Sequence, residues 1–302
     1  MQGGKIVKLA AAVLCAIPAF AAAAPAPHYA INPVALKSQS VLVVDADSGE
    51  VLAAKNADAV VAVASLTKLM TALVVLDAGQ DLEEELQITR EDLDTYKRTP
   101  SRLPFGARVR RGDLLLLALM ASENRAALAL SRHYPGGREA FVAQMNATAT
   151  HLGMTNTRFT DAAGLSASNR STARDLRLLL DAANAQPLIQ EYSTRPSHTL
   201  RVGKQRLRFI SSNRLVRGAR WDIELQKTGY TNEAGRCLVM QATVEGRRLA
   251  MIFLNSVGKL TRYGDAARVR QGLAGAERSV AHRVKAALPG ASSTPAETTA
   301  AP

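Results

Sequence analysis

Strand-forming text lies at both ends of the patterned region with a long helical stretch between, and that order constrains the fold more than any other feature. Near the start, Val41-Leu42-Val43-Val44 and Glu50-Val51-Leu52-Ala53 flank Asp47-Ser48-Gly49 and spell a hairpin. From about Asp81 to Gln190 the pattern is mostly helical, with apolar runs at Leu114 to Met120, Ala126 to Leu130 and Leu176 to Leu180. Strand signals return from Leu207: Glu224 to Tyr230, then Cys237 to Val244 and Leu249 to Leu254 across the turn Glu245-Gly246, followed by a helix around Asp265 to Leu273. Strands this far apart in sequence must find each other to bury their faces. The expected architecture is therefore α/β of the α+β kind, one antiparallel sheet assembled from both ends of the chain, flanked by helices, with an all-helical lobe over about 81–190 inserted into it.

The flanks read differently. Met1 to about Ala24 combines Lys5 and Lys8 with an apolar run from Leu9 to Phe20 and an alanine-rich exit, the pattern of a signal peptide. The run is shorter than the roughly 20 residues that span a bilayer, so no stable membrane anchor is expected once the signal is cleaved. Residues 25–284 form the expected domain, and the Ala-, Pro-, Ser- and Thr-rich residues 285–302 a disordered tail. Loss of the signal removes Cys15 and leaves only Cys237, in an apolar strand, as a buried thiol that can form no internal disulfide. It also lowers the formal charge from +12 to +10. A basic exported chain is drawn to polyanions such as the carboxylate-rich cell wall; with 4% aromatic residues and no aromatic-interleaved basic stripe, nucleic acid is not an expected partner.

Three short motifs carry chemistry. Ser65-Leu66-Thr67-Lys68 opens a helical pattern through Leu69, Met70 and Leu73 that stops near Gly79, which puts a hydroxyl and an amine on one helix face. An unperturbed lysine is protonated near neutral pH. It serves as a base only if burial or a second cation lowers its pKa, and Lys227 is the candidate cation. Spacing alone says little, because Ser256-Val257-Gly258-Lys259 repeats it. Ser122-Glu123-Asn124 adds a hydroxyl and an amide after the Leu114 to Met120 run; Ser211-Ser212-Asn213 repeats that pattern too, and a helix cap is the bland account of either. Lys227-Thr228-Gly229 occurs once, inside a strand. Glycine weakens a strand interior, and a reason to keep one is close approach of another backbone, such as a peptide substrate laid alongside; the bland account is a strand ending in a turn.

In combination the motifs fall in a fixed order on a helix start, a helical lobe and a strand. On these residues the chain resembles the low-molecular-mass penicillin-binding proteins, in particular their D-alanyl-D-alanine endopeptidase branch. The similarity extends through Ala64 to Ala72, Ala121 to Ala127, Ser171 to Leu176, Lys227 to Asn232 and Ala234-Gly235, within about Val41 to Leu273. The resemblance implies a β-lactamase/transpeptidase-like fold, no cofactor, a periplasmic location, and hydrolysis of D-alanyl bonds in peptidoglycan through an acyl-enzyme. It implies that Ser65 attacks a D-alanine carbonyl, Lys68 takes its proton and Ser122 relays a proton to the leaving amine. Lys227, Thr228 and Gly229 are implied to hold substrate, Asn124 to position it, and the backbone N–H groups of Ser65 and Tyr230 to form an oxyanion hole. Peptidoglycan stem peptides and cross-links are the implied partners, with β-lactams as covalent inhibitors.

Rival functions are separable. A class A β-lactamase needs a glutamate to activate the deacylating water, and this chain has none between Glu139 and Glu191, so trapping by penicillin is expected rather than fast hydrolysis. A D-alanyl-D-alanine carboxypeptidase shares the chemistry and differs only in the leaving group. A non-catalytic β-lactam sensor is the alternative from another class. No His-x-x-x-His metal pair joins His28, His133, His151, His198 and His282, and no Gly-x-Ser-x-Gly elbow is present.

Overall fold

The computed structural model describes residues 31–218 and 220–287. The expected signal peptide lies outside the described residues, as does the expected tail of residues 285–302 except for 285–287, which continue the last helix instead of starting a disordered segment. The first hairpin is as expected: β1 (Ser40–Asp45) and β2 (Val51–Lys55) turn around Gly49, whose φ is +75°, while the Asp45 carboxylate accepts from the Asp47 and Ser48 amides. A two-residue strand, β3 (Val61–Ala62), leads to α1 (Thr67–Asp77). Thr67 through Val75 of α1 are all buried, so this helix is apolar on every side and runs through the core rather than along the surface.

The inserted lobe holds α2 (Arg111–Met120), α3 (Asn124–Arg132) and α4 (Gly137–His151), preceded by a short antiparallel pair, β4 (Glu85–Gln87) with β5 (Arg108–Arg110). That pair is an addition to the all-helical expectation; three-residue strands are too short to show a period in sequence. The chain returns through β6 (Arg170–Ser171), which pairs with β3, then α5 (Ala173–Asn184) and α6 (Pro187–Thr194). A two-stranded ribbon follows, β7 (Ser197–Val202) with β8 (Gln205–Ile210). Its first strand was not expected, because only Leu200 of β7 is buried and the alternation is mostly polar.

Three long strands complete the main sheet: β9 (Asp222–Thr231), β10 (Gly235–Val244) and β11 (Arg247–Ser256). The strand order is β2-β1-β11-β10-β9, antiparallel throughout, with β1 from the start of the chain paired to β11 near its end. The β10–β11 turn carries positive φ at both Glu245 (+49°) and Gly246 (+75°), the twist that two-residue hairpins favour. In β1, Leu42 and Val44 point to a core shared with α1 and the helical lobe, whereas Val41 and Val43 point to a second core closed by Ala266, Val269 and Leu273. Those three belong to α7 (Thr261–Ala287), which begins four residues before the expected helix and continues past it. Cys237 is buried in β10, and burial pushes its thiol up to about 11, consistent with an inert core cysteine.

Candidate active site

Between β3 and α1 the chain makes one 3-10 turn, Ala64–Leu66. Ala64 has φ +47°, a left-handed conformation that costs an alanine about 1–3 kcal/mol and presents the next side chain at the cleft between sheet and lobe. That side chain is Ser65. It caps no helix; α1 takes Leu66 at its N-cap position. One turn on, Lys68 is fully buried, with Nζ 2.8 Å from Ser65 Oγ, 2.7 Å from Asn124 Oδ1 and 2.6 Å from the Ala163 carbonyl. Burial pushes the Lys68 pKa down to about 7, against the opposing pull of Asp161, Glu123 and Asp94. The carbonyl and the amide oxygen can only accept. A neutral Lys68 that donates to both therefore turns its lone pair toward Ser65 Oγ.

Ser122 sits in the break between α2 and α3 with φ +59°. The cap of α3 is its neighbour Glu123, whose carboxylate accepts from the Arg125 amide, so Ser122 is left free of capping. Its Oγ accepts from Lys227 Nζ at 2.8 Å, and the same ammonium donates to the Thr228 carbonyl at 3.0 Å. Lys227 is fully buried, and its pKa is pushed well down, first by burial and then by Lys68. Of the two causes the sequence leaves open for a lowered Lys68, burial or a second cation, burial is the leading one, as it is for Lys227.

Ser65, Lys68, Ser122, Asn124, Lys227 and Thr228 thus converge from the 3-10 turn and α1, the α2–α3 break and the start of α3, and β9. Asn124 is engaged by the buried lysine: its Oδ1 accepts from Lys68 and its Nδ2 donates to Thr99 Oγ1 at 2.8 Å, which in turn bonds Asp94. Gly229 does need backbone clearance, but the approaching backbone is the chain's own: a Cβ there would stand 3.0 Å from the Val63 carbonyl and 3.2 Å from Ser65 N. Tyr230 has its ring half exposed, its hydroxyl on Asn232 and the Arg236 guanidinium over its face, so only its backbone can serve the cleft.

Several residues of the site carried no recognised signal. The Asp161 carboxylate accepts from the amides of Ala163, Gly164, Leu165 and Ser166, folding the loop that delivers the Ala163 carbonyl to Lys68. Gly164 (φ +76°) lies against Ala64; a Cβ would fall 1.9 Å from the Ala64 carbonyl oxygen. Asp161-x-x-Gly164 is legible as turn chemistry but not as part of a site. Ser212, in what reads as a decoy of the Ser122 motif, bonds Thr228 Oγ1 at 2.7 Å and anchors its amide on the Met120 carbonyl. The other decoy behaves as one: Ser256 is buried on Ser38, and Lys259 is exposed beyond the strand end.

With a serine, a buried near-neutral lysine and a second serine–lysine pair assembled, comparison with known proteins becomes decisive. Residues 25–258 match the family described as D-alanyl-D-alanine carboxypeptidase. The chain belongs to that family. Among relatives of this D-alanyl-D-alanine carboxypeptidase family, a D-alanyl-D-alanine endopeptidase of Pseudomonas aeruginosa is 47% identical over 240 residues, covering 79% of this chain and 77% of the relative. One of Escherichia coli is 44% identical, covering 78% and 76%. Family relatives named D-alanyl-D-alanine carboxypeptidase match at 29–33% identity. Penicillin-binding protein D2 of Listeria monocytogenes, solved in its cefotaxime-bound form, superposes with a TM-score of 0.68 at 31% identity, over 78% of this chain and 97% of that one. Fold and family agree: the chain is a serine DD-peptidase with the penicillin-binding architecture.

Proposed function

We propose that this serine DD-peptidase is a periplasmic endopeptidase, exported by residues 1–24, that cleaves D-alanyl-meso-diaminopimelyl cross-links of peptidoglycan and is trapped by β-lactams. The single observation that carries the chemistry is Lys68 Nζ, buried and shifted to about 7, at 2.8 Å from Ser65 Oγ. Ser65 Oγ attacks the D-alanyl carbonyl as its proton passes to Lys68, and the oxyanion forms against the Ser65 and Tyr230 amides. Ser122, held by Lys227, relays the proton taken up by Lys68 to the departing amine, which leaves Ser122 as a hydroxyl and Lys68 neutral again. Water then attacks the acyl-enzyme, with Lys68 again as base, and releases the D-alanyl carboxylate. Thr228 and Lys227 bind the carboxylate that neighbours the scissile bond. The Asp161 carboxylate is engaged by four backbone amides, which leaves it poorly placed to activate a deacylating water, and this supports slow release of a penicilloyl group.

The endopeptidase choice over carboxypeptidase rests on relatives of that name at 44–47% identity against 29–33% for the carboxypeptidases. Incubating the protein and Ser65→Ala with defined cross-linked and uncross-linked muropeptides tests it. Loss of dimers, with terminal D-alanine of monomers retained and Ser65→Ala inert, is the expected outcome; trimmed monomers with intact dimers would favour the carboxypeptidase.

A further inference from the structure

A cavity of about 340 Å³ opens beside the site, lined by Pro100, Ser101, Arg102, Ala121 and Glu123 of the helical lobe and by Phe209 and Ile210 at the end of β8. That volume is at the lower end of small-ligand pockets, roughly 300–1,000 Å³. Its position relative to the bond that breaks follows from neighbours already described. Ala121 and Glu123 on its wall flank Ser122, the group that faces the departing amine. Phe209 and Ile210 run directly into Ser211-Ser212, and Ser212 bonds Thr228. Tyr230 and Lys97, which pairs with Glu233 in the β9–β10 turn, are not among its walls. The cavity therefore borders the Ser122 and Thr228 side of the site, the side that the proposed function gives to the leaving group.

We propose that this cavity is the subsite for the leaving stem peptide of a cross-link, with Arg102 reading a carboxylate of that stem. The proposal rests on the endopeptidase reading and deepens it. An alanine leaving from a carboxypeptidase substrate has only a methyl group beyond its carboxylate. A diaminopimelyl leaving group instead continues through methylenes into the rest of a stem peptide, whose free carboxylates are anionic, and so needs an apolar passage followed by a cation. The walls hold both kinds of group: Ala121, Pro100, Phe209 and a half-exposed Ile210 are apolar, and the exposed Arg102 guanidinium is held near the Phe209 ring at 5.8 Å and donates to the Arg208 carbonyl. The charge around the β8 wall matches an anionic stem. Tyr192 to Trp221 contains eight lysines and arginines and no aspartate or glutamate. The one wall carboxylate, Glu123, is occupied by the Arg125 amide.

Kinetics on the full chain test this, read as the ratio of kcat/KM for a purified cross-linked muropeptide dimer to the rate constant for acylation by labelled penicillin, which carries no leaving stem. Arg102→Ala and Ile210→Asp each lower that ratio about tenfold or more, the scale of losing or opposing a charged hydrogen bond, while Arg102→Lys recovers most of it. A ratio that stays within about twofold of wild type in both variants, or a loss of penicillin acylation equal to the loss of dimer cleavage, overturns the subsite alone. A wild-type protein that trims monomers but leaves dimers intact overturns the endopeptidase reading and the subsite with it.

Discussion

At the scale of single residues, the site is an arrangement for keeping one ammonium group close to its neutral form. Lys68 has no solvent and two partners that only accept, so the proton it sheds leaves a lone pair on Ser65. The proposed base is the neutral form, and with a pKa of about 7 its population falls tenfold for each pH unit below that value and is nearly complete above about 8. The rate of acylation by penicillin is therefore expected to rise with pH and reach half its maximum near pH 7; a limb near pH 10, where an ordinary lysine titrates, would contradict the assignment. Gly164 supports the same hydroxyl from beneath. Gly164→Ala puts a Cβ 1.9 Å from the Ala64 carbonyl oxygen at a φ of +76°, so the turn carrying Ser65 must move. Chemical denaturation is expected to show a loss of about 1–3 kcal/mol or more, with acylation slowed at least tenfold.

At the scale of elements, β9 is the organising strand. It is the edge strand of the main sheet, it sends Lys227 to Ser122, and it lies against the Val63–Ser65 backbone through Gly229. Ser212 braces Thr228 on this strand from the segment after β8. Ser212→Ala removes one neutral hydrogen bond of about 0.5–1.5 kcal/mol, and kcat/KM on muropeptides is expected to fall roughly two- to tenfold with the melting temperature little changed. The long elements were legible in the sequence because burial gives them a period: the β1–β2 hairpin, the Glu245-Gly246 turn and the apolar α1 all occur where their residues indicate. The convergence of Ser65 with Lys68 and of Ser122 with Lys227 was legible because their motifs sit in a fixed order on those elements. What escaped was either too short to show a period, as β4 and β5, or defined only by tertiary contact. Ser212 is such a case, since its sequence pattern argues for a cap and its partner is 16 residues away. The role of Asn124 as a holder of Lys68, and the dominance of burial over charge in lowering Lys68, likewise depend on packing that no linear pattern encodes.

At the scale of the whole molecule, the two lobes are not separate bodies. One continuous core joins Leu42 and Ile252 of the sheet to Leu69 and Met70 of α1 and Leu117 and Phe141 of the lobe. Unfolding followed by far-ultraviolet circular dichroism and by Trp221 fluorescence is accordingly expected to give coincident transitions. The formal charge of +12 over the full chain suits an enzyme that works on an anionic wall, and the fraction sedimenting with purified sacculi is expected to fall as salt rises. The proposed function turns on one local event, the formation of a covalent bond at Ser65. Intact mass and peptide mapping after incubation with a penicillin measure that event most directly. A long-lived adduct of the whole antibiotic, confined to the peptide containing Ser65 and absent from Ser65→Ala, is the predicted result; no adduct on the folded protein, or one that persists in Ser65→Ala, would contradict the account.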